Sequence, residues 1–126
     1  MHGRRSGSAS GHEARYLIID WGAALGAWGS NIVQRGRWDP DAFAAQNDLL
    51  VAGVDGETVQ WGYQGQRTAD LTEGITRADV RWFCKYAGAL TEAQIREGLR
   101  ASGATADEVD KFTAALRSRI DILRAV

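Results

Sequence analysis

The chain has a single cysteine, Cys84. No intrachain disulfide can staple it, and such usage fits a reducing, cytoplasmic setting. Its two histidines, His2 and His12, lack the paired ligand spacing of a metal site. No apolar run approaches the ~20 residues of a membrane span. Arg4 and Arg5 have no apolar stretch behind them, so the N-terminus does not read as a secretory signal. A net charge of -1 argues against non-specific nucleic-acid binding over the whole surface. Gly22, Gly26 and Gly29 are not followed by Gly-Lys-Ser/Thr, so they read as turn formers and not as a phosphate loop. Ser30 follows Gly29 without a second flanking glycine, which excludes a nucleophile elbow.

What remains is a chain of 126 residues, 44% hydrophobic and 25% charged. That is enough for one small domain with its own core. Residues 1–14 are Gly, Ser, Arg and His without periodicity, and disorder is expected there. Residues 15–126 read as a single small domain. Residues 15–67 would hold a strand, a glycine-rich loop and a β-hairpin, and residues 68–126 would be helical. The fold class is therefore α+β, a small antiparallel β element followed by a three-helix C-terminal unit.

Local signals support each part. Arg15 to Asp20 is apolar on both faces and reads as a strand. Asp39 is a good N-cap, Pro40 suits the first helical position, and Asp41 favours the positive end of a helix over Pro40 to Gln46. Asp55-Gly56 predicts a hairpin between Leu49–Val54 and Glu57–Tyr63. A two-residue turn there would set Val59 opposite Ala52 and Trp61 opposite Leu50. Thr76 with Asp79, Thr91 with Gln94, and Thr105 with Glu108 predict three helix starts. The first helix, to about Ala89, carries Val80, Trp82, Phe83, Cys84, Tyr86, Ala87 and Leu90 over more than one stripe. It is expected to be the central buried helix. Ile95 and Leu99 face inward on the second helix, which Gly103 ends. Val109, Phe112, Leu116, Ile120 and Leu123 line one side of the third. Phe83 and Phe112 are both expected to be core, each costing ~3–5 kcal/mol on truncation to Ala. Trp28, in a loop, is expected to cost less.

Asp20-Trp21-Gly22 is the sharpest chemical candidate, because a carboxylate at the end of a buried strand is held by that strand and followed by a flexible turn. Asp20 could ligate Mg²⁺, or it could accept backbone N–H bonds in the turn. Trp61 and Trp82 suit core faces, while Trp21 and Trp28 suit either packing or a partner. Arg77, Arg81 and Lys85 recur at i, i+4, i+8 as a basic ridge, whose default is a solvated face. Cys84 reads as a small buried hydrophobe.

Tyr16 to Gly29, the hairpin with Val59-Gln60-Trp61-Gly62-Tyr63, Asp79-Val80-Arg81-Trp82-Phe83, Leu90-Thr91-Glu92-Ala93-Gln94-Ile95 and Arg119-Ile120-Asp121-Ile122-Leu123 together resemble the C-terminal part of atypical bacterial protein-kinase-like proteins. The resemblance implies part of a kinase-like C-lobe. It implies Asp20 as the metal residue of an Asp-x-Gly element, with Trp21 and Gly22 at the nucleotide loop and Trp21 standing where Leu or Phe is usual. Met1 to Tyr16 contains no Asp and no Asn, so the family's catalytic loop is missing, as is a phosphate-anchoring lysine. The implied function is a non-catalytic or incomplete kinase-like segment. Mg²⁺ would bind only if a partner or a further N-terminal region completed the site. The alternative is a small helical interaction module using its Trp-rich loop. Partners would be a separate kinase-like region, or a second copy paired through the open first strand, Tyr16 to Ile19.

Purified protein is therefore expected not to hydrolyse or transfer phosphate from Mg-ATP. Turnover that survives stringent purification and disappears in Asp20→Ala would overturn this.

Overall fold

The structure, a computed structural model, describes residues 38–62 and 72–126. Asp20, Trp21, Gly22, the expected first strand, Trp28 and the N-terminal tail lie outside the described residues. The element order is α1 (Pro40–Ala45), a 3-10 turn (Asn47–Leu49), β1 (Val51–Asp55), β2 (Thr58–Trp61), α2 (Arg77–Ala87), α3 (Glu92–Ala101) and α4 (Ala106–Arg124). The architecture is α+β, an antiparallel hairpin followed by three helices.

The helix starts form as their sequences dictate. Asp39 accepts a bond from the Ala42 N–H at 2.9 Å, and Pro40 stands in the first turn, where its missing N–H costs nothing. Thr76, Thr91 and Thr105 each close a capping box with Asp79, Gln94 and Glu108. Gly103, at φ 93, follows the end of α3.

The hairpin register differs from the expected one. Asp55 pairs with Thr58, Val54 with Val59, and Val51 with Trp61. The turn residues are thus Gly56 and Glu57, with Gly56 at φ 59, the left-handed region a tight hairpin requires. Moving the turn by one residue draws Asp55 into the strand. An irregularity between Val51 and Gly53 leaves Ala52 unpaired and restores the core face for Val51. The chain before α2 favours this register. The Val59 N–H donates to the Ile75 carbonyl at 2.9 Å, and the Arg77 N–H to the Glu57 carbonyl at 2.8 Å. The expected strand start at Leu49 is also corrected. Leu49 ends the 3-10 turn and is exposed.

The central helix is α4, not α2. One apolar cluster joins Phe43, Leu99, Val109, Phe112 and Ala115, with Trp38, Ile95, Ala104 and Leu116 packed against it. A second joins Val59, Val80 and Cys84, with Val51, Trp61, Ile75, Leu123 and Val126 around it. Both clusters draw on α4 or the residues just after it, so its single apolar side serves two groups of partners. Phe112 is fully buried, with edge contacts to Trp38 at 5.9 Å and Phe43 at 5.6 Å. Cys84 is buried and free, as a small hydrophobe should be.

By contrast α2 buries only Val80 and Cys84. Trp82, expected in the core, is 63% exposed, and Phe83, Tyr86 and Leu90 are 50%, 57% and 47% exposed. A helix packed on one side by α4 and the hairpin has room for one stripe. Apolar side chains on its other side stay outside.

Two outcomes follow. Phe112→Ala should cost about 3–5 kcal/mol in denaturant melts, whereas Phe83→Ala should cost less than about 1 kcal/mol. Equal losses would contradict the burial pattern. Asp79 is held below its ordinary value of 3.8 by its bonds to the Thr76 hydroxyl and backbone N–H. A depressed carboxylate stabilises fully above its unfolded value and loses that contribution as pH falls through the lower folded value. The amide of Thr76 should therefore lose protection from hydrogen exchange only below about pH 3.8. Loss already at neutral pH would show that the cap is not formed.

Candidate functional site

The outward side of α2 is the most distinctive surface of the described residues. Trp82 and Tyr86 stand one helical turn apart, with Phe83 beside them. The two rings meet edge to face, centroids 5.2 Å apart. Arg81 and Lys85, also one turn apart, run along the edge of this aromatic stripe and are both exposed. Among the described residues neither is in an ion pair. The Lys85 ammonium lies 5.7 Å from the Tyr86 ring centroid, within cation–π range. Leu90 extends the apolar surface past the helix end.

Polar bonds from other elements hold α2 at both ends. At the start, Arg77 departs from the expected ridge. Its Nε donates to the Val126 carbonyl at 2.9 Å, leaving Arg81 and Lys85 as the outward cations. At the end, an Arg124 guanidinium N–H donates to the Gly88 carbonyl at 2.9 Å, and one from Arg117 to the Leu90 carbonyl at 3.1 Å. A Cβ on Gly88 would collide with the Arg124 guanidinium and the Cys84 carbonyl, so this close approach needs glycine.

A cleft of about 330 Å³ lies between Thr58–Trp61 and Thr72–Gly74. Trp61 Nε1 is buried without a hydrogen-bond partner. The described walls of the cleft also carry one carboxylate, Glu73, and two threonines, Thr58 and Thr72, and among the described residues no histidine, cysteine or cation.

Of the residues singled out for chemistry, Asp20, Trp21 and Gly22 lie outside the described part. Among the described residues no group of three or more His, Cys, Asp or Glu is placed to hold a metal ion. No helix there is long and apolar enough to cross a membrane. The order of residues alone does not single out the aromatic face, because a wide apolar distribution on α2 reads as burial on all sides. A signal is nonetheless present. Trp82, Phe83 and Tyr86 lie on the side away from Val80 and Cys84, and a short helix seldom finds partners on both.

No protein-family model, no curated protein and no solved structure matches the chain.

Proposed function

We propose that this chain works by binding another protein, with the outward aromatic face of α2 as the docking surface. The observation that carries this reading is the exposure of Trp82, Phe83 and Tyr86 side by side on a capped helix. Exposing such a cluster to water is unfavourable, by roughly 25 cal/mol per Å² of apolar surface that a partner could cover. Tryptophan, tyrosine and arginine are the residues on which binding energy concentrates at interfaces. The Trp82–Tyr86 ring contact orders both side chains before any partner arrives, which lowers the entropy lost on docking.

The kinase-like resemblance adds an identity for the partner. A non-catalytic segment with a vestigial Asp20-Trp21-Gly22 would dock onto a separate kinase-like region carrying the catalytic loop. The alternative drawn from the sequence, a small helical module using its Trp-rich loop around Trp21 and Trp28, shares the binding role but puts the surface on that loop and not on α2.

The test is site-specific photo-crosslinking in cells. A photoreactive residue at Phe83 should give discrete adducts with another protein, and the same group at the exposed Ala93 of α3 should not. Trp82→Ala/Tyr86→Ala should abolish the adducts while shifting stability by less than about 1 kcal/mol. Identical adduct patterns from Phe83 and Ala93 would sink the docking reading.

A further inference from the structure

We infer that the partner presents an amphipathic segment bearing acidic side chains. Its apolar residues would seat on Trp82, Phe83 and Tyr86, and its carboxylates on Arg81 and Lys85. This rests on the docking reading of α2 and adds the chemistry of the occupant.

Charge on this face carries the inference. Arg81 and Lys85 are exposed and form no ion pair among the described residues. Arg117 adds a further guanidinium group where α2 ends, at the Leu90 carbonyl, while Arg124, on the Gly88 carbonyl, is paired with Asp121 at 3.7 Å. The acid nearest the stripe is Asp79, one turn before Trp82 and Phe83, which accepts from the Thr76 N–H and hydroxyl at 2.8 and 2.7 Å and keeps its charge. One carboxylate thus stands against the two cations Arg81 and Lys85. The aromatic stripe therefore has a basic edge that no ion pair among the described residues neutralises. A complementary partner supplies the missing carboxylates.

Two other occupants fit this face less well. In a two-fold dimer through α2 each copy would bring its Arg81 and Lys85 to the same interface, and like charges would face each other. A lipid surface would gain only roughly 1 kcal/mol from each of the two basic residues, and the outward stripe is too short to add the apolar burial that stable anchoring needs. A protein segment can fill the spaces between the rings and place each carboxylate against a particular cation. An amphipathic helix, with anchors at i, i+3 or i+4 and i+7, matches the one-turn spacing of Trp82 and Tyr86.

The test uses the full chain with the photoreactive residue at Phe83. The crosslinked segment should carry apolar residues at i, i+3 or i+4 and i+7 with Asp or Glu flanking them. The charge reversal Arg81→Glu/Lys85→Glu should lower adduct yield at least about fivefold, as should raising salt on the unaltered chain. The reversal Arg100→Glu on α3 should leave the yield unchanged. Thermal melts would confirm that each variant folds, and the salt titration stands independently should the double variant not fold. Adducts that persist at full yield through both charge reversal and salt would overturn the acidic-partner inference and leave the docking reading intact. The absence of any Phe83-specific adduct would remove the docking reading itself. Adducts only to a second copy, or only to residues 1–37 of the same chain, would overturn the inference. So would sedimentation with phosphatidylserine-containing vesicles that is lost in Arg81→Glu/Lys85→Glu, since the face would then be a lipid contact.

Discussion

Arg119 is the residue through which the start of the described chain is tied to its end. Its guanidinium donates to Asn47 Oδ1 at 2.6 Å, to the Phe43 carbonyl at 2.8 Å and to Gln46 Oε1 at 3.2 Å. It also lies over the Phe43 ring, 3.5 Å from the centroid. The buried Asn47 amide returns a bond to the Ala115 carbonyl, at 3.0 Å, so both ends of that side chain are satisfied. The six-residue α1 is too short to be stable alone, and the last carbonyls of any helix lack internal partners. Arg119 supplies those partners and a positive charge at the negative end of the helix. Once α1 is held, Phe43 is positioned against Phe112, and the larger apolar cluster can close around them.

That arrangement explains what could be read in advance. Caps are local. Thr76 reaches Asp79, Thr91 reaches Gln94 and Thr105 reaches Glu108 within a single turn, so three helices could be placed from the order of residues alone. The apolar side of α4 was equally legible, because Val109, Phe112, Leu116 and Ile120 keep one helical period. The role of Arg119 was not legible. Its partners lie more than seventy residues away in the chain, and an arginine in a helix ordinarily signifies solvent. The hairpin register was lost for a related reason. Asp55-Gly56 sets a turn only to within one residue, and bonds from Ile75 and Arg77 selected the neighbouring solution. The sharpest chemical candidate, Asp20, falls in the part of the chain that the structure does not describe.

Hydrophobic residues on several sides of a helix imply that several sides have partners, but they do not say that the partners belong to the same chain. Among the described residues α2 has one partner surface, built from α4 and the hairpin, and it buries Val80 and Cys84. Both are small. The bulky aromatic residues lie on the opposite side, the reverse of the distribution that folding stability alone would favour.

A helix anchored by two small side chains would be a loose platform if apolar burial were its only hold. The polar contacts at its two ends supply the remainder. Arg77 is tied to the chain terminus at Val126, and the capping box closes the first turn. Arg124 and Arg117 take the carbonyls of Gly88 and Leu90 where the helix stops. Fixing both ends of α2 to α4 holds the rings of Trp82, Phe83 and Tyr86 in one orientation without burying them. Thus the apolar side of α2 fixes its register, the polar ends fix its orientation, and the largest side chains stay available for contacts made outside the fold.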